Sequence, residues 1–253
     1  MKLNEDLRRE WEAAGYRGNM GSVTAMKPPP KEFIRLYHLT TLEYAINNLA
    51  LGRLKVARIS EVNDPFEYMA LKLKGGLSGQ KALQDLKAIQ NEQTGLLCFS
   101  GDWTNPVLWS HYGAKHQGVC LGFDVKRDIA QAVHYVGERD LAEVEDISKP
   151  RLTREQEDKI RCTKFDNWKY EEEHRVFLAL ADMKKEASLY FYEFGKDVRL
   201  AEVILGVNCQ ASIESIRAMV AEKYSTAITF GARLSIKKFS IVPDENRLPP
   251  CEK

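Results

Sequence analysis

The sequence predicts an α+β fold with mixed or antiparallel sheets and flanking helices. Segments with strand-like composition outnumber those with helical periodicity, and the two kinds follow one another in an irregular order. A doubly wound parallel sheet would show a regular alternation of strands and helices instead. The chain has 253 residues, of which 44% are hydrophobic and 29% charged, so it can bury a full hydrophobic core.

The N-terminal part is expected to stand apart from the main domain. Asn4–Ala14 has helical composition, and Pro28–Pro30 forms an extended spacer because successive prolines exclude a helix. We therefore predict a helical segment with a proline-rich spacer over residues 1–32, and a single α+β domain over residues 33–253.

Strands and helices are predicted from residue patterns of period two and 3.6 respectively. Segments of high β-propensity indicate strands at Phe33–His38, Leu54–Ile59, Leu96–Ser100, Gly118–Phe123, Ala132–Tyr135, Arg175–Leu180, Ser188–Phe194 and Leu234–Val242. Helices are predicted between a cap at Thr40 or Thr41 and Gly52, from Gln80 to about Gln90, and over Ile213–Tyr224 after a cap at Ser212, and helical character is expected in the charge-rich stretch from Arg139 to about Arg161.

Composition limits the classes of partner. The formal net charge of +1 neither demands nor excludes nucleic acid. No apolar run approaches the roughly 20 residues that span a bilayer, and the polar N-terminus is unlike a signal peptide, so no membrane partner is expected. Five widely spaced cysteines without a C-x-x-C pair favour reduced thiols and a cytoplasmic location.

The most informative stretch lies between two apolar runs, at residues 96–124, and concentrates ligand-binding side chains. Ser110, His111, Tyr112 and His116 fall within it, and such groups are costly to bury without partners, which favours a pocket wall. The alternative is ordinary packing, with the aromatic rings in the core and the histidines satisfying backbone groups. His38 at the end of the first strand has the same two interpretations, a ligand contact or a local bond to a carbonyl.

Two acidic segments complete the candidates. Asp64 and Glu67 belong to N-D-P-F-E, where Asp64 before proline favours an ordinary turn. In strand geometry Glu171, Glu173 and Arg175 share one face, with the two carboxylates about 7 Å apart. They repel unless a cation or Arg175 intervenes, so one of them is a candidate for a raised pKa or for stabilising a developing positive charge; the alternative is a solvated edge.

Five spaced motifs carry a resemblance to a known family. They are N-D-P-F-E (63–67), C-F-S (98–100), W-S-H-Y-G (109–113), H-x-G-V-C-L-x-F-D (116–124) and W-x-x-E-x-E-x-R (168–175). In this order, over roughly Tyr37–Gly206, they resemble the prokaryotic family catalogued as domain of unknown function 2971. Some relatives occur among phage-defence proteins, so the resemblance raises the hypothesis of a defence effector.

A looser resemblance concerns ADP-ribosyltransferases of the His-Tyr-Glu type, which implies an ADP-ribosyltransferase-like fold and NAD as substrate. His38 would hold a ribose hydroxyl, Tyr112 would stack on nicotinamide, and Glu173 would stabilise the oxocarbenium-like centre. The E-x-E pattern adds Glu171 to the catalytic set. The residues implied for NAD binding are His38, Thr40, Ser110, His111, Tyr112 and Arg175.

Three functions remain open on the sequence. The first is NAD-dependent ADP-ribosyl transfer or NAD glycohydrolysis, with an unknown acceptor macromolecule. The second is a metal-assisted nuclease or phosphodiesterase that uses Asp64, Glu67, Glu171, Glu173 and a histidine as ligands, although no compact metal-ligand signature is present. The third is a non-catalytic module that binds a nucleotide or a protein.

Overall fold

A computed structural model describes residues 28–142 and 151–247 of the chain. The predicted N-terminal helix lies outside these residues. Among them, the strands are β1 (Phe33–Thr40), β2 (Arg53–Arg58), β3 (Leu71–Leu73), β4 (Thr94–Ser100), β5 (Val119–Lys126), β6 (Gln131–Ala132), β7 (His134–Val136), β8 (Asp140–Ala142), β9 (Thr163–Phe165), β10 (Glu173–Ala179), β11 (Lys184–Glu186), β12 (Leu189–Glu193), β13 (Val198–Leu205), β14 (Ile228–Leu234) and β15 (Ile241–Pro243). The α-helices are α1 (Leu42–Leu51), α2 (Leu77–Gln93), α3 (Pro106–His111), α4 (Arg154–Arg161) and α5 (Ile213–Lys223). This mixture of antiparallel and parallel strands with separate helices confirms the α+β prediction.

The described chain groups into two compact units, each built from separate segments. The first unit contains residues 28–53, 99–128 and 194–247, and the second contains residues 54–98, 129–142 and 151–193. Among the described residues, no helix is both long and apolar enough to cross a membrane.

The first unit is organised around a mixed sheet in the order β1-β5-β13-β14-β15. β1 and β5 pair antiparallel over eight residues, from Phe33 opposite Lys126 to Thr40 opposite Val119. β13 and β14 are parallel and are joined by a crossover that contains α5. Residues 119–123 of β5 are all buried, as expected for a central strand covered on both faces.

Helix α1 follows β1 directly and has the predicted signals at both ends. The Thr41 side chain accepts a hydrogen bond from the backbone N–H of Tyr44, which satisfies a free donor of the first turn. Gly52 ends the helix with φ 68°, and its N–H donates to the carbonyl of Asn48. The sequence therefore predicts this strand–helix connection correctly.

The second unit contains a sheet in the order β11-β12-β2-β4-β10-β6 and two short parallel ladders, β3-β8 and β7-β9. Its core packs α2 and α4 against the strands through apolar side chains that include Leu83, Leu96 and Ile160. Most of its strands have three residues or fewer, which is too short for an alternating sequence pattern to be recognised.

Four predicted boundaries are wrong, for identifiable reasons. The stretch from Arg139 that was expected to be helical begins with β8, which pairs with β3, and its described helix is α4. Helix α2 begins at Leu77 rather than Gln80, because Gly79 is not a break: a Cβ there would lie 2.5 Å from the carbonyl oxygen of Leu73, so close packing requires glycine. The expected strand 234–242 is a hairpin between β14 and β15, with a turn closed by the Ser235 N–H donating to the Ser240 carbonyl. The single short strand predicted at 132–135 is split between β6 and β7.

Candidate functional site

Five charged side chains of the second unit form a buried ion cluster. Its members are Glu67, Lys164, Glu171, Glu173 and Arg175, each at most 5% exposed. They come from two of the motifs recognised in the sequence, N-D-P-F-E and W-x-x-E-x-E-x-R, and from β9 between them. The two motifs therefore meet through buried charges.

Arg175 is the centre of this ion cluster. Its guanidinium donates to both carboxylate oxygens of Glu67, at 2.6 and 2.8 Å, and to both of Glu173, at 2.9 and 3.1 Å. A further bond of 2.6 Å reaches the backbone carbonyl of Arg161. These bonds use all five N–H donors of the group, so the predicted contact between Arg175 and a cofactor would have to break one of them.

Lys164 joins the two carboxylates of the E-x-E pattern. Its Nζ lies 2.6 Å from Glu171 Oε2 and 2.9 Å from Glu173 Oε2. A cation thus lies between the two acids, as their spacing in the sequence required. The solvated-edge alternative is wrong, because Glu171 and Glu173 are buried.

Burial and neighbouring charges together shift the pKa values of Glu173 and Glu67 in opposite directions. Burial alone would raise the pKa of Glu173, but the charges of Arg175 and Lys164 lower it to about 2. Burial raises the pKa of Glu67, and Arg175 offsets only part of that effect. A raised pKa, which the sequence allowed for either acid of the E-x-E pattern, does not belong to Glu173; it belongs to Glu67, which that expectation did not include.

The backbone conformation explains why Glu171 and Glu173 are both buried. Glu171 ends a 3₁₀ turn (Asp166–Glu171), and Glu172 follows in a left-handed conformation with φ 44°. This residue redirects the chain before β10 begins at Glu173. Glu171, Glu173 and Arg175 were predicted to share one face of a strand, and all three are buried. Only Glu173 and Arg175 lie on the strand, however, since Glu171 belongs to the 3₁₀ turn before it.

A cleft of about 370 Å³ lies beside this ion cluster within the second unit, and Lys164 lines it. Two largely exposed rings, Phe66 and Phe165, belong to its walls, at 59% and 45% exposure. Lys72 and Arg139 contribute cationic groups. Asp64 also lines the cleft and forms the predicted turn, since its Oδ1 accepts from the Phe66 N–H at 2.8 Å.

In the first unit, His38 and Thr40 lie on β1, and Thr40 is its last residue. The half-buried His38 ring meets Phe99 edge to face, with ring centroids 6.2 Å apart. Tyr112 caps the C-terminus of α3, and its ring lies 6.0 Å from that of His111. His38 therefore makes a packing contact, and Tyr112 is half-buried.

The loop after α3 holds a strained turn. Ala114, Lys115 and His116 have φ values of 48°, 54° and 69°, which side-chain-bearing residues adopt at a cost of about 1–2 kcal/mol each. His116 stacks on Trp109, and its Nε2 lies 3.3 Å from Ser110 Oγ. Burial lowers the pKa of His116, which favours a neutral ring able to pair with this hydroxyl.

The predicted residues are thus divided between the units. His38, Thr40, Ser110, His111 and Tyr112 belong to the first, and Glu171, Glu173 and Arg175 belong to the second. The convergence of His38, Tyr112 and Glu173 on one site stays a prediction. In the described part of the chain, no three His, Cys, Asp or Glu side chains are arranged to hold a metal ion.

Sequence reasoning missed the residues that make the cleft and unite the acids. Lys164 stands in T-K-F, a strand too short to show a period, and nothing in its neighbourhood distinguishes it from other lysines. Phe66 follows a turn and Phe165 ends β9, and at either position a single aromatic residue says little about function. Phe66 could have been found from its place inside a recognised motif.

Comparison with known proteins agrees with the motif reading. The model of the family described as "Protein of unknown function (DUF2971)" matches residues 108–176, about a quarter of the chain. This range begins in α3 and ends in β10, so it includes the strained turn, Lys164, Glu171, Glu173 and Arg175. No curated protein and no solved structure matches the chain. Over residues 108–176, the chain is therefore similar to the DUF2971 family, as its motifs predicted.

Proposed function

We propose that the protein binds a nucleotide-type small molecule in the cleft of the second unit, and that its reaction is cleavage of NAD by ADP-ribosyl transfer or glycohydrolysis. The observation that carries the binding proposal is the pair of exposed phenylalanine rings, Phe66 and Phe165, on a cleft that also has cationic groups.

The size and walls of the cleft suit such a ligand. A volume of about 370 Å³ lies within the range of small-molecule sites. Exposed aromatic faces offer a stacking surface to a planar base, and each such contact contributes about 1–3 kcal/mol. Phe66 and Phe165 line the cleft and are exposed to solvent, so they are the rings on which a base would stack.

Phosphate recognition requires a cation held in place, and Arg139 has that property. Its Nη2 donates to the Leu71 carbonyl at 2.6 Å, and its Nε donates to the carbonyl of Met69. Two backbone anchors reduce the conformational entropy that the side chain would lose on binding an anion. Lys72 adds a second, exposed cation beside it.

The reaction is assigned to Glu173 because its carboxylate is ionised and close behind the cleft lining. A pKa of about 2 keeps it negative at neutral pH, as stabilisation of an oxocarbenium-like centre requires. Lys164, which lines the cleft, is bound to it at 2.9 Å. In the proposed reaction, Lys164 moves from Glu173 toward the ligand phosphate and leaves Glu173 paired with Arg175 alone. The N-glycosidic bond of NAD then breaks, nicotinamide leaves, and water or the acceptor takes its place at the ribose carbon.

Binding is tested by calorimetric titration of the whole protein with NAD, ADP-ribose and AMP. We expect saturable binding that Phe66→Ala or Phe165→Ala weakens by about 1–3 kcal/mol, the contribution of one stacked base. Phe239→Ala is the matched control, since Phe239 is fully exposed and lies in the first unit. Absence of binding, or equal affinity in all four proteins, would contradict the proposal.

Catalysis is tested separately by following nicotinamide release from labelled NAD. Glu173→Gln is expected to abolish release, whereas Glu172→Gln, which changes an exposed neighbour, should leave it intact. Thermal unfolding of both variants shows whether the fold is retained. Binding without release in the wild-type protein would favour the non-catalytic nucleotide-binding module.

A further inference from the structure

A second cavity of about 360 Å³ lies in the second unit, between α2, α4 and Tyr68. Its lining includes apolar side chains, among them Leu83, Leu86 and Ile160. It also includes the basic side chains of Lys87, Arg151 and Arg161, with Glu157 as its acidic member. A lining of both kinds fits a ligand that has an apolar body and an anionic end.

Tyr68 contributes the decisive feature of this second cavity. Its side chain is 3% exposed, and its hydroxyl has no hydrogen-bond partner among the described residues. A buried hydroxyl left unpaired keeps a desolvation penalty that a hydrogen-bond partner would offset. The residue also has φ 61°, a left-handed conformation that is costly for a bulky side chain. Two costs at one residue that lines a cavity indicate a site whose hydroxyl is satisfied by a ligand.

Arg161 supplies a cation that is already held in place. Its Nη2 donates to Gln90 Oε1 at 3.2 Å, and its guanidinium carbon lies 5.8 Å from the centre of the Phe177 ring. The backbone carbonyl of the same residue accepts from Arg175, which anchors its main chain to the ion cluster. An anion would therefore meet an ordered positive charge.

We propose that this second cavity binds a small organic acid. The apolar body of the acid lies against Leu83, Leu86 and Ile160, and its anionic oxygen accepts a hydrogen bond from the Tyr68 hydroxyl beside Arg161. The anionic end follows from the charges of the lining, since the side chains of Lys87, Arg151 and Arg161 only donate and outnumber the single carboxylate, Glu157, and the Tyr68 hydroxyl can donate to the same oxygen. This second cavity shares no lining residue with the nucleotide cleft, so its proposed ligand does not depend on the proposed function.

The first test is calorimetric titration of the whole protein with octanoate and with octanamide, its neutral isostere. Octanoate is expected to bind saturably and at least about 10-fold more tightly than octanamide, because only the anion gains from Arg161. No saturable binding of octanoate, or equal affinity for the two probes, would overturn the proposal.

The second test uses Tyr68→Phe, which removes only the hydroxyl. The dissociation constant for octanoate should rise about 10- to 100-fold, the effect of one hydrogen bond to a charged group, while the melting temperature of the ligand-free protein stays equal or rises. Tyr44→Phe, at an exposed tyrosine of α1, is the matched control and should change neither quantity. A lower melting temperature for Tyr68→Phe, or unchanged affinity, would count against the proposal, since the hydroxyl would then serve the fold.

A third variant, Arg161→Gln, keeps an amide donor and removes the charge. It should lower octanoate affinity about 10-fold or more and abolish the preference over octanamide. Lys81→Gln, at an exposed position of α2, is its control. A retained preference for octanoate would show that Arg161 does not meet the anion.

Discussion

Arg175 is fully buried, and its guanidinium neutralises two carboxylates that have left water together with it. Buried ion pairs contribute little net stability when complete, because desolvation offsets their attraction. Removal of one partner is different, since the remaining charge keeps its desolvation cost and loses its compensation. Loss of Arg175 should therefore destabilise the protein far more than the small net contribution of the complete ion cluster suggests.

We expect Arg175→Met to lower the free energy of unfolding by about 3–5 kcal/mol, because Glu67 would remain buried without its cation and Glu173 would keep only Lys164. Lys55→Met, which removes an exposed pair with Glu61 at 2.9 Å, should cost no more than about 1 kcal/mol. Urea unfolding of the three proteins measures both values. Similar small losses in the two variants would show that Arg175 is not the compensating charge.

The lowered pKa of Glu173 predicts loss of stability in acid. Because its folded pKa of about 2 lies below the ordinary value of 4.5, the unfolded chain binds more protons between these limits. Stability from this group is complete above pH 4.5 and is lost as pH falls toward 2. The raised pKa of Glu67 acts oppositely, and it reduces stability as pH rises above 4.5.

This sign is tested by unfolding free energies measured between pH 6 and pH 2.5. The wild-type protein should lose stability below pH 4.5, and Glu173→Gln should show a weaker dependence there, whereas Glu172→Gln should follow the wild type. An equal slope in Glu173→Gln would assign the acid sensitivity to other carboxylates.

At the scale of the element, the turn Ala114–His116 combines three left-handed residues without a glycine among them. Its position is fixed from both sides: the His116 N–H donates to the Trp109 carbonyl, and the Asn208 N–H donates to the His116 carbonyl. A Cβ on Gly118 would lie 2.1 Å from the Thr40 carbonyl oxygen, so the strand after the turn also packs at close distance. Neighbouring structure thus imposes the strain.

We expect Lys115→Gly to raise the free energy of unfolding by about 1 kcal/mol, because glycine adopts φ 54° without strain. Lys81→Gly should do the reverse and cost about 1 kcal/mol, since Lys81 lies inside α2. Chemical denaturation of both variants provides the comparison. A loss of stability in Lys115→Gly would mean that the lysine side chain contributes more than the backbone costs.

Elements with local signals were predictable, and elements defined by distant partners were not. The alternating residues of β1 and the cap at Thr41 carry their information within a few positions. Lys164 has its partners at Glu171 and Glu173, but nothing local requires its burial. β14 was missed because Gly231 interrupts its pattern; in the fold the Arg247 side chain packs over this glycine, 2.5 Å from where a Cβ would lie.

The candidate site shows the same division. The acidic motif and the N-D-P-F-E turn were brought together only in the metal-assisted hypothesis, as ligands of one ion. Their contact through Arg175 was not anticipated, because Glu67 and Arg175 are 108 positions apart. Pairing of this kind depends on the course of the whole chain, and no spacing rule of a helix or strand reports it. The cleft follows from that pairing, so its aromatic walls were also missed.

At the scale of the whole molecule, the second unit is assembled from chain segments that are synthesised far apart in time. Glu67 leaves the ribosome 108 residues before Arg175, which corresponds to roughly 5–20 s at the usual rate of about 5–20 residues per second. Throughout that interval the acid has no buried cation to join and must stay hydrated. Nascent chains that end before residue 175 should therefore keep this region open and sensitive to protease, and its closure should coincide with the emergence of β10.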